Sequence, residues 1–190
     1  MTPSGRALRT SRLDLRDFTA DDVDVLVELD SDPHVVHYIT GGLPTPRHEV
    51  VDEVIPAFLG YAERYEGYGF WAAVERSSGE FLGWFHLRPE AGHAADEPEL
   101  GYRLRRAAWG KGYATEGSRA LIDAAFTRWG ARRVVAYTMV AHVASQRVME
   151  KAGMRRVRTF TQEWPYRIPG EELGDVEYAI TRDEWEDSRA

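Results

Sequence analysis

Hydrophobic and polar positions alternate with two different periods along this chain, and the switches between them mark its elements. "RLDLRDF", residues 12–18, alternates like a strand, and "TADDVDVLVELDSD", residues 19–32, follows as a short helix that Thr19 or Asp21 can cap. "PRHEVVDEVIPAFLGYAERYEG", residues 46–67, has helical spacing, with Pro56 expected to kink or split it. The period then shortens, and "GFWAAVERSSGEFLGWFHLRP", residues 69–89, predicts two strands about an "SSGE" turn. After a loop, "EAGHAADEP", comes the strand "ELGYRL", residues 99–104, and then "YATEGSRALIDAAFTRWG", a helix ending at Gly130. Its inward positions Ala114, Gly117, Leu121, Ala124 and Ala125 are mostly small, so the helix can lie close against a sheet. The strand "RRVVAYTM", the helix "HVASQRVMEKAG", the strand "MRRVRTF", a loop over residues 161–173 and a closing strand "DVEYAIT" complete the series. No repeat or linker interrupts it, so one α+β or α/β domain over residues 1–190 is expected, with helices on the faces of a sheet.

Composition narrows the class. The chain has 190 residues, 43% of them hydrophobic, enough for one substantial core. The absence of cysteine excludes disulfides, thiolate metal sites and cysteine nucleophiles; no metal is expected. The opening residues lack the apolar run of a signal peptide, and no stretch approaches the roughly 18 apolar residues of a membrane span. A cytoplasmic protein without a membrane partner is the expectation.

The net charge of −7 is unevenly placed: residues 101–158 carry +10, thirteen Lys and Arg against Glu116, Asp123 and Glu150, leaving −17 elsewhere. The basic residues lie among glycines and core-like positions rather than along one helix face with aromatics, so a compact anion fits them better than nucleic acid. The acidic remainder favours a cationic second ligand.

The stretch "AAWGKGYATEG", residues 107–117, shows what the anion is held by. Glycines just before a helix let backbone N–H groups converge on a phosphate, where the helix dipole adds positive charge. A nucleotide P-loop is excluded, because Lys111 precedes Gly112 rather than Ser or Thr and no glycine stands five residues before Gly110. The dinucleotide pattern GxGxxG fails at Thr115.

Taken together, "ELGYRLRRAAWGKGYATEG" and, one helix and one strand later, "VASQRVMEKAGM" resemble the GNAT superfamily of acetyl-CoA-dependent N-acetyltransferases. Within it the chain is similar to the ribosomal-protein N-terminal acetyltransferases of the RimJ/RimL type, from about Leu13 to Ile180, for a domain core of about residues 10–182. The resemblance implies a mixed, mostly antiparallel twisted sheet of about seven strands flanked by helices, with a splayed strand pair that holds CoA. The family's Q/R-x-x-G-x-G/A signature maps onto Trp109, Gly110, Gly112 and Ala114, with backbone N–H groups of Lys111, Tyr113 and Thr115 toward the diphosphate. Tyr102, Arg103 and Leu104 offer their backbone to the pantetheine arm, and Arg105, Arg106, Arg147 and Lys151 are candidates for the remote phosphate. In the second motif, commonly N-x-x-S-x-R, Ser145 and Arg147 match, while His142 stands in the Asn place. A dimer as well as a monomer accords with the resemblance.

Direct acyl transfer to an amine needs a neutral amine, a donor for the oxyanion and a proton or hydrogen bond for the departing thiolate. Ser145 is the candidate at the sulfur by its motif position, and a backbone N–H near Leu104 the oxyanion donor. Glu99, heading the strand that carries the acetyl group, is the candidate base, with Glu97, His86 and Glu177 as competitors. Tyr38, Trp71, Trp84 and Trp164, with His86 and Glu177, are candidates to line the acceptor pocket. The acceptor is expected to be a primary amine, on a peptide N-terminus or a small molecule. The alternative is a noncatalytic acyl-CoA-binding sensor, which would keep the glycine loop and lose the acceptor chemistry.

Overall fold

The computed structural model describes residues 6–89 and 94–189; part of the loop over residues 90–98 lies outside them. One sheet of eight strands organises the chain, in the order β1-β2-β3-β4-β5-β6-β8-β7. The strands are β1 (Leu8–Arg9), β2 (Leu13–Asp17), β3 (Gly69–Glu75), β4 (Phe81–Arg88), β5 (Glu99–Leu104), β6 (Arg133–Met139), β7 (Arg155–Phe160) and β8 (Asp175–Thr181). The count exceeds the expected seven because the two-residue β1 adds an edge to β2. Every neighbouring pair is antiparallel except β5 and β6, which run parallel.

Alternation along the strands builds two cores. One face carries Trp71, Phe85, Leu87, Leu100, Leu104, Val134 and Tyr178, packed under α5 (Tyr113–Thr127) and α6 (Val143–Lys151). The small residues expected on α5 do allow a close approach: a Cβ on Gly117 would lie 2.3 Å from the Phe85 ring. The other face carries Phe70, Ala72, Phe81 and Trp84 beneath α1 (Val23–Ser31) and α4 (Ile55–Arg64).

Between α1 and α4 lie the short α2 (His37–Thr40) and α3 (Arg47–Glu49). A π-helical segment over Val50–Val54 joins α3 to α4 directly. Pro56 therefore does not split the helix, and the irregularity beside it is the π-helical segment. Pro56 has no N–H to donate one turn back, and the wider π turn immediately before it absorbs that missing bond. A last helix, α7 (Arg182–Asp187), follows β8 and is closed by Thr181, whose side chain accepts the Glu184 N–H.

Candidate active site

The site lies where two strands part. β5 and β6 register only at Glu99 and Val135, and beyond that point the strands diverge. β4 holds β5 along its whole length on the other side, from Gly83–Leu104 to Arg88–Glu99, so the opening between β5 and β6 is fixed by a continuous ladder. The C-terminal end of β5 then runs through residues 105–112 to α5.

That connection has the geometry of an anion cradle. Gly110 and Gly112 have φ of 71° and 84°, left-handed values that other residues adopt at a cost, and Gly112 is the N-cap of α5. Around Gly110 a Cβ would meet nothing within 4 Å, so its glycine serves conformation and close approach rather than packing. The indole N–H of Trp109 donates to the Leu104 carbonyl at 2.8 Å and ties the loop to the end of β5. The first N–H groups of the 15-residue α5 have no intrahelical acceptor and face this loop. Among the described residues, Lys111, Arg119, Arg147 and Lys151 have no carboxylate at ion-pair distance, although the Arg119 guanidinium donates to the Lys151 carbonyl. A diphosphate and a further phosphate suit this donor set.

On the α1 side of the opening, His86 of β4 lies across Gly101 of β5, where an added Cβ would sit 2.5 Å from its Cε1 and Nε2 atoms. His86 is 7% exposed, walled by Phe70 and Trp84, and neither ring nitrogen has a hydrogen-bond partner among the described residues. Its Nε2 stands 3.6 Å from Glu99 Oε2. Arg88 donates to the same Glu99 oxygen at 3.1 Å. Burial pushes the Glu99 carboxyl up, but the neighbouring His86 and Arg88 outweigh it and hold the group below the usual carboxylate range. Glu99 is thus a fixed anion 3.6 Å from a buried imidazole. Farther along β5, Arg103 leans over Trp84 and is clamped by the buried Asp30 of α1 at 2.6 Å.

The α5 side of the opening holds Ser145, in the first turn of α6 and 7% exposed. The Tyr102 phenol reaches it from β5, 3.0 Å from its hydroxyl and 3.1 Å from its carbonyl. At the head of α6, the His142 ring stacks on Tyr38 of α2 with centroids 4.2 Å apart, and its Nδ1 is 3.3 Å from the Thr138 hydroxyl. Burial, then the nearby His37, lowers His142 to about 4, so it is neutral at pH 7 and packs as an aromatic wall. No group of three or more potential metal ligands occurs among the described residues.

Comparison with known proteins agrees with this geometry. The acetyltransferase (GNAT) domain family matches residues 12–155. The chain belongs to the GNAT acetyltransferase family. A curated relative, the FsC-acetyl coenzyme A-N(2)-transacetylase of Aspergillus fumigatus, is 34% identical over 184 residues, 94% of this chain and 77% of the relative. An uncharacterized N-acetyltransferase of Bacillus subtilis, YnaD, is 28% identical over 94% of this chain and 98% of its own. Among solved structures, a GNAT-family acetyltransferase from Bacillus anthracis superposes with a TM-score of 0.74 at 23% identity, over 93% of this chain and 99% of that one. Aminoglycoside acetyltransferase AAC(6')-Ib, solved with coenzyme A and kanamycin, shares the fold with a TM-score of 0.71 at 20% identity, over 94% of this chain and 99% of that one. The chain is therefore an acetyl-CoA-dependent N-acetyltransferase, and a noncatalytic sensor is not favoured.

As a GNAT site, the opening gathers some of the residues the sequence singled out and disperses others. Glu99, Tyr102, Ser145, His86 and Trp84 meet around it, and Tyr38 and His142 meet each other at the head of α6. Trp71 does not line a pocket: it is fully buried on the α5 face of β3, stacked on Trp129, because strand alternation points it away from its neighbour Phe70. The side chains of Arg105 and Arg106 are ion-paired, Arg105 with Glu28 of α1 and with Glu80, and Arg106 with Asp32 just after α1. Glu97 is held by Arg132 and Arg133, and Glu177 by Arg133 and Arg158, so two of the three competitors for the base are ion-paired carboxylates, and His86 is the third. Trp164 lies beside Asp175 at the start of β8, where it partly offsets the rise that burial causes in the Asp175 pKa. Asp30, Arg88 and Gly101 went unnoticed in the sequence. Of these only Gly101 carried a signal, as a glycine inside a strand.

Proposed function

We propose that this GNAT enzyme acetylates a weakly basic primary amine, an α-amine on a small molecule or peptide, with His86 receiving the amine proton and Glu99 holding His86 in place. The observation that carries the reading is the buried imidazole lying over Gly101 where β5 leaves β6, its Nε2 3.6 Å from the Glu99 carboxylate and neither nitrogen within hydrogen-bond distance of a partner among the described residues. A carboxylate held low and ion-paired is a feeble base, whereas a neutral imidazole keeps a ring-nitrogen lone pair that can accept a proton. Glu99 then stabilises the imidazolium that forms. An α-amine, with a pKa of about 7.7 to 8.0, presents roughly a tenth of its molecules neutral at pH 7, and a lysine, at about 10.4, only a few in ten thousand.

Backbone N–H groups at the end of β5 serve the thioester oxyanion, and Ser145 donates a hydrogen bond to the departing sulfur. The N–H groups from Lys111 to Thr115 receive the coenzyme diphosphate, and Lys111, Arg119, Arg147 and Lys151 the remote phosphate. The N(2)-transacetylase activity named for the Aspergillus relative supports transfer to an amine. The paired motifs support placement in the RimJ/RimL-like branch, as one domain working in the cytoplasm as a monomer or homodimer.

The buried carboxylates on the acceptor face are largely spoken for: Asp30 by Arg103, Glu99 by Arg88, and Glu177 by Arg133 and Arg158. Such a face receives one amine better than a polycation. Thiol release from acetyl-CoA, measured with α-amine compounds against polyamines and aminoglycosides, tests this. Turnover led by the α-amines is expected; turnover confined to polycations contradicts it.

A further inference from the structure

We infer that Tyr102 is a positioning residue for Ser145, setting the direction in which the Ser145 hydroxyl points. The inference rests on the reading that Ser145 serves the leaving sulfur. Alternation along β5 puts Tyr102, with Leu100 and Leu104, on the α5 face, and its phenol crosses the floor of the β5/β6 opening to α6. It is the side chain that joins the two walls of the opening at Ser145. Its single O–H has two acceptors at nearly equal range, the Ser145 carbonyl at 3.1 Å and the Ser145 hydroxyl oxygen at 3.0 Å.

The two arrangements have different consequences. With the phenol donating to the carbonyl, the Ser145 proton is drawn toward Tyr102 Oη and away from the opening. With the phenol donating to Ser145 Oγ, the serine proton is released toward a third group, and the alkoxyl-side lone pair that would repel an anion is occupied. A thiolate developing at the opening favours the second arrangement, and the phenol supports the serine through a hydrogen-bonded chain. No proton passes through Tyr102. Burial raises its pKa well above the usual phenol value, a tendency the bond to Ser145 only partly offsets, so it stays an O–H throughout. The leaving thiolate takes its proton from the acceptor amine by way of the base, so the atoms balance without Tyr102 or Ser145 changing charge.

Tyr102→Phe removes one oxygen and keeps the ring against Phe85. In thiol-release kinetics with acetyl-CoA and an α-amine, Tyr102→Phe and Ser145→Ala are each expected to lower kcat about ten-fold, as loss of a hydrogen bond to a charged group does, with KM for acetyl-CoA nearly unchanged. The double variant is expected to be no slower than Ser145→Ala alone, because the two act as one unit. Between pH 6 and 9 the wild-type and Tyr102→Phe kcat profiles should keep the same shape. Losses that multiply in the double variant, or a Tyr102→Phe enzyme with full kcat and only a lower melting temperature, would overturn the inference and leave Tyr102 as a structural tie. Full kcat in Ser145→Ala would instead overturn the role of Ser145 itself.

Discussion

Gly101 exposes the account to a single atom. A Cβ at that position would lie 2.5 Å from His86 Cε1 and Nε2, so Gly101→Ala must push the imidazole off β5. Loss of a positioned base costs about 100-fold or more, and kcat is expected to fall by that order while circular dichroism still reports the folded sheet. Near-wild-type kcat in Gly101→Ala would contradict a role for His86. His142 makes a different prediction at the same scale. Its folded pKa is depressed to about 4 from an ordinary 6.5, so on acidification the unfolded chain binds the proton first. The stability contributed by neutral His142 is complete above about pH 6.5 and is lost as pH falls toward 4. His142→Asn should therefore lose less stability than wild type between pH 7 and 5, read from urea midpoints; an equal or larger acid loss in the variant contradicts this. The sequence marked both histidines. What it could not convey was direction, since only the strand register puts His86 over Gly101 while turning Trp71 to the opposite core.

Between elements, the segment before β2 clasps the start of α5, just after the glycine loop. Glu116, in the first turn of α5, accepts from the Thr10 and Ser11 hydroxyls at 2.6 and 2.9 Å, and from the Arg12 backbone N–H and Nε at 2.9 and 2.7 Å. Burial opposes its ionisation, yet these bonds bring its pKa to about 2. Arg12 continues to the Lys111 carbonyl at 2.9 Å and lies over the Tyr113 ring, spanning the start of α5. Arg12→Ala is expected to raise KM for acetyl-CoA about three- to ten-fold, the scale of one or two hydrogen bonds, and to leave kcat within about two-fold. A fall in kcat at constant KM would show that the clasp acts elsewhere. Gly117→Ala tests the neighbouring contact: its Cβ would overlap the Phe85 ring at 2.3 Å, and overpacking of this kind costs about 1 to 3 kcal/mol, visible as a lower denaturation midpoint at unchanged m. Most of these elements were legible from periodicity, as the strand over residues 175–181 shows. The π segment before Pro56 was not, because a proline signals a missing N–H without saying how the helix will absorb it.

For the whole molecule, charge is where sequence order and spatial order differ most. Residues 101–158 carry +10 in the chain, yet Arg103, Arg105, Arg106, Arg132, Arg133 and Arg158 all reach carboxylates from outside that stretch. Folding interleaves the charges, and among the described residues Lys111, Arg119, Arg147 and Lys151, along the glycine loop, α5 and α6, have no carboxylate at ion-pair distance and suit phosphates. The carboxylates nearest the opening, Asp30, Glu99 and Glu177, are among those that such pairing engages. The anion loop, by contrast, was legible, since two glycines before a helix dictate the same local geometry in any surroundings. The most direct test of the account is thiol release from acetyl-CoA with an α-amine acceptor in wild type, His86→Gln and Glu99→Gln, in a chain whose lack of cysteine leaves the thiol reagent no background. The account predicts acceptor-dependent release, a fall of about 100-fold in His86→Gln and a smaller one in Glu99→Gln. Full activity in His86→Gln with loss in Glu99→Gln would make Glu99 the base and contradict the account.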